Sequence, residues 1–180
     1  QEGIYRHYAA IAQASPLPII MYNVPSRTGS NMEASTSLRL AKDFDNIIGI
    51  KEAAGDMTQV LRLLKDRPKD FLVISGDDML ALPLVSAGGD GVISVIGQGP
   101  TQVFCQMMQY AREGAFAKAY TLQFQLMPII DAIFAEGNPA GIKAVLASMG
   151  ICTSKVRLPL VAASDHLKEA LKHHILQINR

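Results

Sequence analysis

Along the first two thirds of the chain, short apolar runs alternate with stretches whose apolar residues recur every three or four positions. The two periods predict strands and helices in turn. Residues Glu2 to Ala14 place Ile4, Tyr5, Tyr8, Ile11 and Ala12 at helical spacing, and Ser15-Pro16 ends that helix. Leu17 to Val24 (LPIIMYNV) is nearly all apolar before Asn23 and reads as a strand. Pro25 to Gly29 reads as a loop, after which Ser30 or Asn31 can cap a helix from Met32 to Asp43. Ile47 to Ala53 is the second predicted strand. Gly55-Asp56 supplies a turn and a cap for a helix over Met57 to Lys65, with Val60, Leu61 and Leu64 inside and Pro68 as its stop. Phe71 to Ser75 is a third strand, followed by Gly76-Asp77-Asp78 and a helix from Leu80 to Ala87 that ends at Gly88-Gly89. Gly91 to Ile96 is a fourth strand, and a helix runs on to Arg112 after the loop Gly97 to Pro100.

Each predicted strand is apolar on both faces, the mark of parallel strands buried under helices. The polar residues collect just past the strands: Tyr22-Asn23, Lys51-Glu52 and Asp77-Asp78. In a (β/α)₈ barrel or an open α/β sheet, that edge binds ligands. After Gly114 the alternation stops. Phe116 to Phe134 predicts a long apolar helix, kinked or broken at Pro128. Asn138-Pro139 starts another helix, which runs to Ser148 with Gly150 as its stop. Arg157 to Val161 reads as extended. Ser164-Asp165 opens a last helix, with Leu167, Ala170, Leu171, Ile175 and Ile178 on one face. The expected organisation is a βα region over 1–113 and a helical region over 114–180.

Composition narrows the function. Balanced charge (net +1), 18% charged and 49% hydrophobic residues describe an ordinary globular protein. Basic residues are scattered rather than striped, so no nucleic-acid partner is expected. No apolar run reaches the roughly 18–20 residues of a membrane span. No glycine-rich GxGxxG or P-loop follows a strand, which argues against nucleotide binding. The four histidines form no ligand set, so no metal is expected. Cys105 and Cys152 lack CxxC spacing and read as free, buried thiols of a reducing compartment. The chain begins at Gln1, with neither methionine nor signal peptide, and reads as starting partway through something longer.

Ile47-Ile48-Gly49-Ile50-Lys51 runs an apolar strand straight into a lysine. A buried ammonium finds an anion, reaches water along its methylene stem, or sheds its proton. In the last case the amine is a nucleophile of the Schiff-base kind. Tyr22, at the end of the preceding strand, is either a core tyrosine with a satisfied hydroxyl or an acid–base partner for that amine. Strand neighbours lie about 4.8 Å apart, so the two side chains can converge on one small substrate. Asp77-Asp78 is equally a helix cap or a substrate contact. The methionines at 107, 108, 127 and 149 read as packing residues.

Together, YNVPSRTG (Tyr22 to Gly29), GIKEA (Gly49 to Ala53), SGDD (Ser75 to Asp78), GGDGVISV (Gly88 to Val95) and GNPAGIK (Gly137 to Lys143) resemble the 4-hydroxy-tetrahydrodipicolinate (dihydrodipicolinate) synthase family. The motifs stand in family order, and the resemblance covers essentially the whole chain. It implies an α/β fold of the (β/α)₈ TIM-barrel family, here about half a barrel of four βα units plus a C-terminal helical region. It also implies a lyase that condenses pyruvate with L-aspartate 4-semialdehyde in the diaminopimelate–lysine route. By resemblance, Lys51 forms the Schiff base and Tyr22 shuttles protons. Arg27 holds a carboxylate of the semialdehyde. Gly76 and Asp77 lie near the second substrate, and the Ile93 carbonyl faces the lysine. No cofactor beyond the covalent pyruvate imine is implied. The arginine of YNVPSRTG favours the synthase over N-acetylneuraminate and keto-deoxy-sugar acid lyases of the same superfamily, which remain the alternative reading.

A whole barrel needs about 250 residues. The resemblance therefore implies that the first four strands lie outside this chain. With them would go a pair of adjacent threonines in the proton relay, a tyrosine lent across the dimer interface and most of the lysine-feedback site. A half barrel leaves open edges and an uncovered inner face. The expected partners are accordingly the two small substrates and a homo-oligomer, tetrameric in the family, or a second half barrel. A non-catalytic assembly fragment is the reading from outside the enzyme class. The expected location is the cytoplasm.

Overall fold

The computed structural model describes residues 1–178. They divide into two compact units, one over Gln1–Ile93 and the other starting at Ser94. The expected division at 113/114 would have kept the helix after the fourth strand with the strands. That helix packs instead on the long helix that follows it.

In the first unit, helix α1 (Glu2–Ala14) leads into β1 (Ile19–Asn23). A short helix α2 (Pro25–Thr28) and α3 (Ala34–Asp43) connect β1 to β2 (Ile47–Glu52). Helix α4 (Met57–Asp66), β3 (Leu72–Ser75), α5 (Ala81–Ser86) and β4 (Gly91–Val92) complete the unit. The strands form one sheet in the order β1-β2-β3-β4, with every neighbouring pair parallel. Right-handed βαβ crossovers place successive helices on one side of such a sheet. Accordingly Met21, Ile50 and Val73 from the strands pack with Leu40 of α3, Leu63 of α4 and Leu84 of α5. The Asp56 carboxylate accepts from Thr58 N–H at 2.8 Å and caps α4, as the sequence predicts. Below the strands, Arg67 pairs with Asp90 and donates to the carbonyls of Phe71 and Gly88. Asp90 also accepts from Val73 N–H at 2.8 Å, which ties the starts of β3 and β4 together.

Several expectations are corrected here. The strands are not covered on both faces. Ile20 and Tyr22 are 41% and 45% exposed while their neighbours Met21 and Asn23 are buried, because the helices pack on one side only. Residues 25–28 are helical, stopped by Gly29 in the left-handed region (φ 67°). Helix α3 starts at Ala34, and Asn31 is not its cap, because its amide is engaged elsewhere. In α4 Val60 is buried and Leu64 partly buried as expected, but Leu61 is exposed and Leu63 takes the inward position instead. The fourth strand is only Gly91–Val92; residues 93–95 are irregular, and the predicted run ends where a 3₁₀ turn begins at Ile96–Gln98.

The second unit contains that turn and the helices α6 (Thr101–Arg112), α7 (Phe116–Ala135), α8 (Ala140–Ser148) and α9 (Asp165–Ile178). Helix α7 runs unbroken through Pro128. Buried Leu126, Ile129, Ile130 and Ile133 flank the proline, and their packing offsets the roughly 3 kcal/mol that an interior proline removes. Helix α8 approaches α7 so closely that a Cβ at Gly141 would lie 2.0 Å from the Ile133 carbonyl oxygen. Only glycine fits there. The first helical residue of α8 is Ala140, with Pro139 as its cap. Residues 157–160 form a turn closed by Leu160 N–H to the Arg157 carbonyl, not an extended segment. Leu167, Leu171, Ile175 and Ile178 form the buried face of α9. Both cysteines are exposed rather than buried, since Cys105 lies on the outer side of α6 and Cys152 in the irregular segment after α8.

Candidate active site

The register of β1 against β2 sets the site. Tyr22 pairs with Lys51 and Asn23 with Glu52; Lys51 in turn pairs with Ile74 of β3 and Glu52 with Ser75. Side chains alternate across a strand, so each strand end sends one residue to each face. Tyr22, Lys51 and Ile74 share the uncovered face, while Asn23, Glu52 and Ser75 share the helix-covered one.

On the uncovered face the Lys51 ammonium nitrogen lies 4.1 Å from the centre of the Tyr22 ring. That is cation–π distance, and it puts an amine and a phenol side by side at the carboxyl ends of adjacent strands. Lys51 is half-buried. Gly76, one residue past β3, makes room for its stem: a Cβ there would lie 2.9 Å from Lys51 Cε and 2.8 Å from Ala53 Cβ. Ile93 follows β4, donates its N–H to the Ser75 carbonyl at 2.9 Å and leaves its side chain 49% exposed. Beside Tyr22, a cleft of about 320 Å³ is lined by Ile4, His7, Tyr8, Thr28, Ser30 and Met32, among others.

The remaining predicted residues are placed as follows. Asp77 caps the turn into α5, its Oδ1 accepting from Met79 N–H at 2.8 Å and Leu80 N–H at 3.3 Å, which is the capping role weighed from the sequence. Arg27 sits in the last turn of α2, four residues beyond β1, with an exposed side chain. The structure thus brings Lys51, Tyr22 and Gly76 into contact distance.

Sequence reasoning missed the covered face. Glu52 is 3% exposed, and its carboxylate accepts from Asn23 Nδ2 at 3.0 Å, Gln59 Nε2 at 2.9 Å and Ala54 N–H at 2.7 Å. Asn23 Oδ1 accepts from Met32 N–H at 3.0 Å, and its Nδ2 also donates to Asn31 Oδ1 at 2.8 Å. Asn31 Nδ2 donates to Gln59 Oε1 at 3.1 Å. The only signal in the sequence is the pair of polar residues, Asn23 and Glu52, at the ends of otherwise apolar strands. Among the described residues, no helix is long and apolar enough to cross a membrane.

Fold and site define a class: a parallel α/β unit of the (β/α)₈ barrel family, with an amine and a phenol paired at the carboxyl edge of its sheet. Comparison with known proteins carries this one step further. The model of the dihydrodipicolinate synthetase family matches residues 1–178, and the chain belongs to that family. It is 52% identical over 180 residues to the 4-hydroxy-tetrahydrodipicolinate synthase of Flavobacterium psychrophilum, covering 100% of this chain and 61% of that protein. The synthase of Phocaeicola vulgatus is 52% identical over 161 residues, covering 89% of this chain and 54% of its own length. Among solved structures, the dihydrodipicolinate synthase of Thermotoga maritima superimposes with a TM-score of 0.96 at 38% identity, covering 99% of this chain and 61% of that one. A dihydrodipicolinate synthase variant described as monomeric gives 0.95 at 38% identity, with 99% and 60% covered. The chain therefore spans about 60% of the length of the relatives it matches.

Proposed function

We propose that Lys51 is the imine-forming amine of a lyase that condenses pyruvate with L-aspartate 4-semialdehyde to 4-hydroxy-tetrahydrodipicolinate, a step of lysine and diaminopimelate synthesis. The observation that carries this is the amine–phenol pair, with Lys51 Nζ 4.1 Å from the Tyr22 ring. The neutral amine attacks the keto carbon of pyruvate, forming the N–C bond of a carbinolamine. Loss of the former keto oxygen as water leaves the imine. This step moves protons on and off oxygen, a task suited to the neighbouring Tyr22 phenol. Loss of a methyl proton gives an enamine, whose carbon attacks the aldehyde of the second substrate. The aldehyde oxygen takes up a proton, and that substrate's own amino group then displaces Lys51 from the imine carbon, closing the ring and freeing the lysine. Arg27 offers a planar fork for that substrate's carboxylate. Gly76, which keeps the lysine stem unobstructed, and Asp77 lie near the second substrate, and the Ile93 backbone carbonyl faces the lysine. All the bond changes run through the lysine imine, so the reading needs no organic cofactor or metal. A cytoplasmic enzyme that works as a homo-oligomer completes the proposal.

A second reading, an assembly piece with little activity of its own, is favoured by one observation: Tyr22 and the face around it stand open, at 45% exposure. One experiment separates the two. The 180-residue chain is incubated with pyruvate, reduced with borohydride and mapped by mass spectrometry, with Lys51→Met as control. We expect a weak adduct at Lys51, none in the control, and little or no synthase turnover from this chain alone. A folded chain without adduct supports the assembly reading. Turnover near that of full-length relatives would overturn the expectation of a weak site.

A further inference from the structure

We infer that Asn23 and Glu52 are positioning residues, which set the Lys51–Tyr22 pair from behind the sheet and clasp the loop that carries Arg27. As a statement about catalysis this rests on the function proposed above; as a statement about geometry it stands alone. Glu52 follows Lys51, and Asn23 follows Tyr22, so the two pairs are adjacent steps of one parallel register. The covered-face pair is joined directly, Asn23 Nδ2 lying 3.0 Å from each Glu52 carboxylate oxygen. A slip of one residue between β1 and β2 would send Tyr22 or Lys51 to the wrong face. The buried hydrogen bonds oppose that slip, because a slipped Glu52 would lose its donors inside the core.

The network also has a fixed sense. Among the described residues, the groups hydrogen-bonded to the Glu52 carboxylate are N–H donors: Asn23 Nδ2, Gln59 Nε2 and Ala54 N–H. The Asn23 amide cannot turn round, because its Oδ1 accepts from Met32 N–H at 3.0 Å. That same bond closes the loop from residue 23 to residue 32, which contains Arg27. Glutamine at position 52 would match glutamate in shape but turn an NH₂ toward other donors. Shape is kept while the polarity fails, so the substitution isolates the positioning role.

The test needs no turnover. A lysine whose ammonium lies over an aromatic ring has its ε-methylene protons shifted upfield by the ring current. In the full chain we expect such a shift for Lys51, removed by Tyr22→Leu. Glu52→Gln should reduce it by half or more in protein that is still folded by circular dichroism. The double variant Asn23→Asp/Glu52→Gln, which reverses donor and acceptor, should recover most of it. Should Glu52→Gln fail to fold, Gln59→Met removes one donor only and should give a partial loss. Val73→Ala, a cavity elsewhere in the same core, should lower stability and leave the shift unchanged. The borohydride-trapping rate should fall about 10- to 100-fold in Glu52→Gln, the range expected for a misplaced reactive group. An unshifted Lys51 in the wild type, or an unchanged shift in folded Glu52→Gln and Gln59→Met, overturns the inference. A wild type that shows the shift but traps no pyruvate overturns the lyase reading and leaves the positioning role standing.

Discussion

Tyr22 and Asn23 are neighbours in β1, as Lys51 and Glu52 are in β2, yet the two faces they serve are built on opposite terms. Behind the sheet, Met21, Ile50 and Val73 are wholly buried, and the polar groups among them are hydrogen-bonded to one another. In front, Ile20 and Tyr22 are 41% and 45% exposed, and glycines stand at 49 and 76 where larger residues would crowd Leu72 and Lys51. One face holds the unit together, and the other leaves its reactive groups accessible. The period of two along a strand lets consecutive residues serve both ends: Met21 and Asn23 of β1 and Ile50 and Glu52 of β2 face the core, while Tyr22 and Lys51 between them face outward.

The largest expected effect tests that division directly. Ile50→Ala on the covered face should destabilise the chain by about 2–5 kcal/mol, through lost burial and the cavity left behind. Ile20→Ala on the open face, one strand away, should change stability by about 0.5 kcal/mol or less. Urea unfolding followed by circular dichroism measures both. Equal effects would mean that the open face is packed in solution, by a second copy of the chain or another partner, and light scattering on the same samples would then show the added mass.

That contrast also explains what the sequence could and could not reveal. The alternation of βα units was legible because apolar runs and caps are local: Asp56 caps α4 as the pattern implies. Lys51 and Tyr22 were legible because a lysine ending an apolar strand is chemically anomalous, and the family resemblance supplied its partner. What could not be read was which strand face the helices would cover. An isoleucine at 20 and one at 50 look alike in a strand, and only the connection of each helix to its neighbours decides between them. The Glu52 network escaped for a related reason. Its members come from positions 23, 31, 52 and 59, and no local pattern joins Asn31 to Gln59. Of the kink or break expected at Pro128, the break does not occur, because local propensity yields to the packed isoleucines around it.

A smaller effect should come from Gly76→Ala. The added methyl must share space with Lys51 Cε at 2.9 Å and Ala53 Cβ at 2.8 Å. Lys51 is a flexible side chain and can move aside, so stability should fall by about 1 kcal/mol, at the low end for overpacking. Reactivity should suffer more, because the amine leaves its place over the Tyr22 ring: we expect trapping by pyruvate and borohydride to slow about tenfold. The two faces are thereby separated in one variant. A loss of stability without a loss of trapping would show that the amine reacts equally well from another rotamer and that Gly76 serves the fold alone.

The smallest effect sets an exposed carboxylate against the buried one at Glu52. Glu136, just past α7, accepts from the Ser164 hydroxyl and from Ser164 N–H at 2.7 Å, while Ser164 Oγ accepts from Leu167 N–H in the first turn of α9. The Ser164 hydroxyl, then its N–H, hold the Glu136 carboxyl below the usual glutamate value. A carboxyl held lower in the folded chain than in the unfolded one binds its proton more readily after unfolding. Its contribution to stability is therefore complete above the ordinary glutamate range and is lost as the pH falls through the lower folded value. Solvent surrounds this group, so the contribution is small and weakens further with salt. Glu136→Gln should lower the melting temperature slightly at neutral pH, and the difference from wild type should close as the pH falls through the lowered value and the carboxyl is protonated. Melting curves at stepped pH measure it, and a gap that stays constant across that range would show that Glu136 holds α9 by shape rather than by charge.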